Sequence, residues 1–336
     1  MVKATGNATG NEKPSKDDRK AEVRQIILAQ GNDFIKELLR AHGLKIGANK
    51  KDFEINLTAA IESDALTQEM IDAWLAEIEG WGNQHLYLFA APTIAESKLK
   101  AQLQASKYAA LSGLKQSYAF PDRLTLTSIA LDGDHLSLVW HLGKEGWNRA
   151  KDKDRTEEVE LERYRYEAYR QRRDRSTVRF EWRFADHYCA ILIHRNKEID
   201  HADAMQEIWR VLAALGIAEK PLATVPLNNA VKSASNGKSS TKSARFEAEG
   251  GFVELGSTLA QGGIESVEAV RQARLAVNDN AFAKAQGIFN FTIEEHKDLN
   301  RSIAVQIYGT EGRLRFWAQC PRDDVYRVLN FLQQHN

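Results

Sequence analysis

Several common functional signatures are missing from this sequence. Its 336 residues include only two cysteines, Cys189 and Cys320, which cannot build a disulfide framework and lack the paired spacing of a zinc site. No apolar run approaches the ~20 residues that span a bilayer, and the polar first residues lack the apolar core of a signal peptide. These absences predict a cytoplasmic protein with reduced thiols and no membrane partner.

The motifs of several large enzyme classes are also missing. The sequence has no GxxxxGKS/T phosphate loop, GxSxG nucleophile turn, HExxH helix or CxxC pair. Asp122 follows a proline before a predicted hairpin, as the first carboxylate of a restriction-type nuclease would. That chemistry also needs an acidic residue two positions before a lysine to hold a metal ion, and the nearest triplet is Glu181-Trp182-Arg183. The sequence therefore favours a protein without enzymatic activity or cofactor.

Charge of one sign is missing from two segments, although the formal net charge is zero. Between Lys220 and Arg245 there are five basic residues and no acid, and between Asp52 and Glu79 there are eight acids and no Lys or Arg. The overall balance excludes a uniformly basic coat, so any nucleic-acid contact has to come from local surfaces.

Composition and periodicity divide the chain into five parts and predict an α+β fold. Residues 1–20 are polar without an apolar period, which predicts a mobile tail. Apolar residues at three-to-four spacing predict a helical module over 21–82, and the pattern of 83–218 predicts an antiparallel β-sheet with flanking helices. The Ser- and Lys-rich segment 219–245 predicts a flexible linker, and 246–336 predicts a small C-terminal α+β domain.

Strand signals are strongest around two hairpins. Residues 124–131 and 135–142 alternate between apolar and polar and flank an Asp-Gly-Asp turn, which favours a hairpin. The runs 177–185 and 187–195 predict a second antiparallel pair. The charged segment 157–175 between them fits either a bulged strand or a helix, and its β-branched and aromatic residues favour the strand.

The segment 34–61 resembles the SAP, or helix–extended-loop–helix, family. A helix with Leu38 and Leu39 is followed by a Gly-containing loop and a second helix with Phe53 and Leu57. In that family the helices and loop approach nucleic-acid backbone, so the resemblance implies phosphate contacts from Lys45, Lys50 and Lys51. The acidic run repels phosphate from one face, and a structural helical hairpin or a protein-binding module remain alternatives.

The order of elements over residues 21–142 is similar to that of the inner-kinetochore centromere protein N family. In that family a helical module precedes an antiparallel sheet, and the same order is predicted here. No contact residue carries over from this resemblance. It implies a layout suited to a chromosome-associated scaffold.

Arginine and aromatic residues are interleaved between residues 163 and 183. Arginine pairs with phosphate and aromatic rings stack on unpaired bases, although a solvated sheet face with cross-strand ion pairs has the same composition. The lysines of the predicted linker add positive charge. We therefore expect nucleic-acid contacts from Tyr169, Arg170, Arg172, Arg173, Arg175, Lys238 and Lys242.

Four histidines lie on neighbouring predicted strands, close to three aspartates. Sheet pairing could gather some of them around a divalent ion, but their spacing fixes no ligand set. We therefore expect ordinary hydrogen-bonded histidines and assign no metal site. The residues concerned are His135, His141, His187 and His194 with Asp132, Asp134 and Asp186.

Three functions fit these features. The leading one is a non-enzymatic, nucleic-acid-associated scaffold that binds DNA or RNA backbone through discontinuous basic surfaces. The alternative is a protein adaptor within a multi-subunit complex, which docks through the acidic helical face at 62–79 and through the C-terminal domain. A metal-dependent enzyme whose site is assembled from scattered residues is the third.

Overall fold

The computed structural model describes residues 15–113, 120–195, 198–259, 262–299 and 301–336. The chain forms two compact units, residues 1–75 and 76–336, of which the first fourteen residues lie outside the described part. Among the described helices none is both long and apolar enough to cross a membrane.

The first unit is helical. It contains α1 (Lys16–Ala29), α2 (Asn32–Ala41), α3 (Lys50–Glu62) and the first half of α4 (Gln68–Trp81). Asn49 caps α3 by accepting hydrogen bonds from the backbone of Lys51 and Asp52, as expected for a helix N-terminus. The inward face of α3 consists of Phe53, Leu57 and Ile61, which are buried.

Helix α1 neutralises part of the acidic run. Lys20 binds Glu62 with 2.5 Å between Nζ and Oε1, and Lys16 and Arg19 both bind Asp64. Arg24 binds Glu54 in the same way. The prediction of a mobile tail as far as residue 20 is therefore wrong for residues 16–20, because these residues form a helix whose basic side chains pair with acids more than forty positions away.

The second unit is built on one antiparallel sheet. Among the described residues its ten strands follow the order β2-β3-β6-β7-β1-β12-β11-β10-β8-β9, and a separate pair is formed by β4 and β5. The strands are β1 (Gln84–Ala90), β2 (Thr125–Asp132), β3 (His135–Arg149), β4 (Arg155–Val159), β5 (Glu162–Tyr166), β6 (Tyr169–Arg183), β7 (Tyr188–His194), β8 (Ser240–Ala248), β9 (Gly251–Gly256), β10 (Lys284–Phe291), β11 (Ile303–Tyr308) and β12 (Arg313–Phe316).

The remaining helices cover opposite faces of the two halves of this sheet. They are α5 (Glu96–Ala105), α6 (His201–Ala214), α7 (Asn228–Ser233), α8 (Glu268–Ala276) and α9 (Arg322–Gln334). Helices α5 and α6 pack on β2, β3, β6 and β7 around Trp140 and Phe180. Helices α7 and α9 pack on the other face of β1, β12, β11, β10 and β8, around Phe246 and Phe289. The protein is therefore α+β, with two cores on one sheet.

Both predicted hairpins are confirmed. Strands β2 and β3 pair antiparallel around the Asp-Gly-Asp turn, and β6 pairs with β7. The segment 157–175, which fitted either a strand or a helix, is extended, so the favoured strand prediction is confirmed. It forms part of β4, all of β5 and the start of β6, with a tight turn at Glu160 and Leu161 where a bulge was expected.

The predicted flexible linker at 219–245 is an ordered part of the second unit. Backbone hydrogen bonds join Ala90 N to Ala223 O at 2.8 Å and Val225 N to Leu88 O at 3.0 Å. Further along, α7 is buried in the core, and residues 240–245 form most of β8. The prediction is wrong because a six-residue helix is too short to show a period and the polar positions of β8 alternate with buried ones.

This correction predicts that Leu227→Ala lowers the free energy of unfolding by about 2–5 kcal/mol, because the side chain is only 1% exposed and its removal leaves a cavity. Urea unfolding of the full chain measures this change. Lys220→Ala is the matched control, since that side chain is exposed in the same segment and its loss costs less than about 0.5 kcal/mol. If both substitutions had equally small effects on the free energy of unfolding, the prediction of a flexible linker would be supported instead.

Candidate functional site

One side of the second half of the sheet carries polar and aromatic side chains. Because side chains alternate along a strand, the residues opposite α7 and α9 point away from the core. We call this surface the open sheet face, and its described side chains are half-exposed. It consists of Ser243 and Arg245 on β8, Gln286, Ile288 and Asn290 on β10, Gln306 and Tyr308 on β11, and Arg313 and Arg315 on β12.

Arginines stack on aromatic rings along this face. The guanidinium of Arg313 lies 3.8 Å from the ring centre of Tyr308, its partner in the ladder between β11 and β12. Arg315 lies 5.4 Å from the ring of Trp317 on the same side of the chain. Such stacking holds each guanidinium in place while leaving its edge able to donate hydrogen bonds.

Positive charge is concentrated where β1 meets β12. His85 pairs with Arg315 across the ladder, and its ring lies 4.9 Å from that of His201 at the start of α6. Burial lowers the pKa of His85 to about 4, together with the charges of His201, Arg313, Arg315 and Arg195. All of these neighbours disfavour a further proton, so the local potential is positive and suits an anion.

Acidic residues lie at the other end of the face. Glu311 binds Arg313 at 2.8 Å, and Glu247 and Glu254 both bind Arg245. A shallow cleft of about 280 Å³ is lined by Glu311, Glu247 and Arg245 together with Lys284 and Tyr308. Within the described part of the chain, neither Arg195 nor Arg315 forms an ion pair. The end of the face near His85 is therefore the more strongly basic one.

A second polar cluster lies buried on the first half of the sheet. Glu181, which is 2% exposed, accepts a hydrogen bond from Ser137 at 2.6 Å and from Arg179 at 3.1 Å, and it also contacts His135. Burial raises the pKa of Glu181, but its contacts with His135, Arg179 and Ser137 outweigh that effect and hold the pKa below its usual value. The carboxylate is thus charged and satisfied, which suits a structural role.

Catalysis finds little support in this cluster. The carboxylate lies between the serine and the histidine, so the histidine is not placed to take the proton of Ser137 as it would in a nucleophilic triad. Of the other histidines on the neighbouring strands, His141 contacts the hydroxyl of Thr127 at 2.7 Å. Across the described residues no group of three or more His, Cys, Asp or Glu is arranged to hold a metal ion.

The basic residues predicted from sequence are distributed over both compact units. Lys45 and Lys51 are exposed beside the N-terminus of α3, and Lys50 is half-exposed. Tyr169 and Arg170 are exposed on β6, whereas Arg175 is only 6% exposed and does not reach a ligand at the surface. The lysines belong to the first unit, and the residues of β6 belong to the second.

The predicted linker lysines have different positions. Lys242 belongs to β8 and donates to the carbonyl oxygens of Leu259 and Gly262, at 2.8 and 2.5 Å, so it fastens a loop. The side chains of Arg172, Arg173 and Lys238 lie outside the described residues.

Sequence reasoning missed the open sheet face. Its signal was present in RLRFW at 313–317, where Arg313, Arg315 and Trp317 occupy alternate positions and must share one side of a strand. Which side that would be depends on α9 and on strands far away in sequence.

Comparison with known proteins assigns neither a family nor a function to this chain. No protein-family model matches the chain, and no curated protein matches it. The function has to be argued from the site.

The buried cluster generates a stability prediction. Glu181→Ala leaves Arg179 without its carboxylate partner, so we expect unfolding to become easier by about 3–5 kcal/mol at neutral pH. Because the pKa of Glu181 is lower in the folded state, its contribution is present above the unfolded-state pKa and is lost as pH falls through the folded value. The difference between variant and wild type should therefore shrink in acid.

Urea unfolding at neutral pH and at pH values below the usual carboxylate pKa measures this effect. Glu268→Ala removes an exposed ion pair with Arg271 and should cost less than about 1 kcal/mol. A Glu181 effect as small as that of the control would show that the cluster does not stabilise the fold.

Proposed function

We propose that this protein is a non-enzymatic nucleic-acid-binding scaffold and that the open sheet face holds the phosphate backbone of a single strand. The observation that carries the proposal is that Arg313 and Arg315 of the open sheet face stack on Tyr308 and Trp317. Arg195 adds a further positive charge directly after β7, which pairs with β1 beside them. A guanidinium donates paired hydrogen bonds to phosphate, and aromatic rings accept stacked bases.

A single strand fits this face better than a duplex. Bases within a duplex are stacked on each other, so rings on a flat sheet cannot reach their faces. A single strand can turn its bases toward Tyr308 and Trp317 while its phosphates meet the arginines. The amides of Gln286, Asn290 and Gln306 offer both donors and acceptors to base edges.

The helical unit supplies a second basic surface in this proposal. Lys45 and Lys51 are exposed next to the N-terminus of α3, where the helix dipole also favours anions. This arrangement agrees with the SAP resemblance, which supports backbone contact at 34–61. We place the protein in the cytoplasm, because Cys189 and Cys320 are free, buried thiols.

The acidic helical face offers weaker support for an adaptor. Glu62, Asp64 and Glu54 are already paired with bases of α1, so their charge is largely neutralised within the unit. An enzymatic reading has no comparable observation in its favour.

The proposal predicts that Arg195→Glu combined with Arg315→Glu weakens binding of a single-stranded oligonucleotide at least tenfold, because two phosphate contacts become repulsive. Fluorescence anisotropy across a salt series from about 50 mM measures the affinity and the number of phosphate contacts. Arg210→Glu with Arg271→Glu is the matched control, since both arginines are exposed on helices away from the face. Absence of binding at the lowest salt would refute the proposal, as would equal losses in both pairs.

A second prediction follows from the environment of His85. Burial is the main reason for the low pKa of His85, and the surrounding positive charge lowers it further. Bound phosphate offsets the second effect, so this pKa should rise above about 4 when an oligonucleotide binds. NMR titration of the ring protons measures it, with His85→Gln to assign the signal. His296 packs on Phe291 in the opposite core and should not change. An unchanged His85 in the saturated complex would place the nucleic acid elsewhere.

A further inference from the structure

Strands β3 and β6 continue beyond the sheet as a two-stranded arm. Their pairing extends from His135 and Arg183 to Arg149 and Tyr169. The neighbouring strand β2 pairs only as far as His141, and β7 pairs with β6 only as far as Val178. Beyond these points the ribbon has no partner strand in the described part of the chain. It ends in the hairpin of β4 and β5, and we call residues 144–174 the arm.

The arm is internally braced. Arg149 donates to Asp154 at 2.6 Å, and Asp154 accepts a further hydrogen bond from the backbone of Ala168 at 2.9 Å. The backbone of Ala150 donates to Ala168 at 2.9 Å, which closes the ribbon at this level. These bonds link β3, β6 and the segment before β4, so the hairpin is carried on an ordered stem.

Exposed apolar side chains are concentrated on this arm. Half of the twelve large apolar side chains that are exposed in the described residues belong to it: Trp147, Val159, Leu161, Tyr164, Tyr166 and Tyr169. Leu161 is fully exposed at the tip, and Trp147 is 66% exposed on the stem. A concentration of this kind is typical of a surface that is covered by a partner.

The turn at the tip is unfavourable for the isolated chain. Glu160 and Leu161 have φ values of 52° and 70°, a conformation in which two-residue hairpins prefer Asn and Gly. A leucine in this position gains neither turn propensity nor burial from its own fold. Its presence is understandable if a partner buries it.

The charge of the arm is divided by position. The tip, residues 157–162, has four acids and no base, whereas the stem at 144–156 and 163–174 has ten bases and five acids. A tip of one copy therefore complements the stem of another. When two arms cross antiparallel, both contacts form at once, as in a two-fold symmetric interface.

We propose that two copies of this chain pair through their arms, each placing its acidic tip and Leu161 on the basic, aromatic stem of the other. Trp147 and Tyr169 supply the apolar surface that receives Leu161. The proposal is independent of the open sheet face, because no residue of the arm belongs to that face.

A charge exchange tests this pairing in the full chain. The tip variant is Glu157→Lys with Glu158→Lys, and the stem variant is Lys144→Glu with Arg170→Glu. The formal charge of the tip falls from −4 to 0 in the first variant, and that of the stem falls from +5 to +1 in the second. Dimerisation of either variant alone, measured by analytical ultracentrifugation, should therefore weaken at least tenfold. An equimolar mixture of the two should form heterodimers, because the unchanged tip of one copy then faces the unchanged stem of the other.

Several outcomes would overturn the pairing. They are a wild-type chain that is monomeric at ~100 µM, charge variants that dimerise like wild type, or a mixture that stays monomeric. Loss of oligonucleotide binding in the stem variant of a monomeric protein would assign the arm to nucleic acid instead. The control Arg210→Glu with Arg271→Glu should leave the dimer intact.

The apolar contact has its own matched pair of variants. Leu161→Asn suits the left-handed turn and keeps the hairpin folded, yet it removes the apolar tip, so we expect at least tenfold weaker dimerisation. Leu275→Asn changes an equally apolar side chain, 66% exposed on α8, and should have no effect. Equal behaviour of the two variants would show that the tip is not buried in a partner.

Discussion

Pairing of strand β1 with two neighbours is the constraint on which the second unit depends. Its seven residues pair with β7 along one edge, and His85, Leu86 and Tyr87 pair with β12 along the other, so one strand joins the two halves of the sheet. Leu86 and Leu88 face the core beneath α7 and α9, whereas Phe89 packs on Trp209 of α6. Since β1 is covered on both faces, the helices can change sides here. The second half keeps one face without a helix layer, and the open sheet face lies there. The Glu181 cluster lies on the face of the first half opposite α5 and α6, where Arg322 of α9 contacts His135.

The Glu181 cluster and the region around His85 contain similar side chains but differ in how their charges are balanced. Around Glu181 each carboxylate oxygen has a partner, and the favourable electrostatic energy is already realised in the folded protein. Around His85 the charges are alike, and burial together with these charges lowers the pKa of that histidine. A like-charged, braced cluster at the surface gains energy only when a counter-charge arrives. That difference is why the open sheet face, and not the buried cluster, is the better candidate for a ligand.

The sequence predicted those elements whose pattern is local. The Asp-Gly-Asp turn and the alternation around it determine the hairpin of β2 and β3, and both are contained in about twenty residues. Residues 16–20, the start of α1, were missed because their side chains pair with distant acids such as Asp64. Helix α7 was missed because burial, not periodicity, stabilises it. For the open sheet face, the sequence shows only that side chains alternate along each strand. Whether Arg315 faces core or solvent depends on α9, which follows it, and on β11 beside it.

Because sequence patterns reveal only local structure, Tyr169 and Arg170 were predicted from the sequence to bind nucleic acid. The four acids of residues 157–162 are neighbours in the sequence, but only the register of β4 with β5 shows that they form the tip of a hairpin whose stem is basic. Arm pairing and nucleic-acid binding would then support each other. A dimer carries two open sheet faces, and a strand long enough to reach both would be held ~10²–10⁴ times more tightly without any new contact. A scaffold with modest individual sites gains useful affinity in this way.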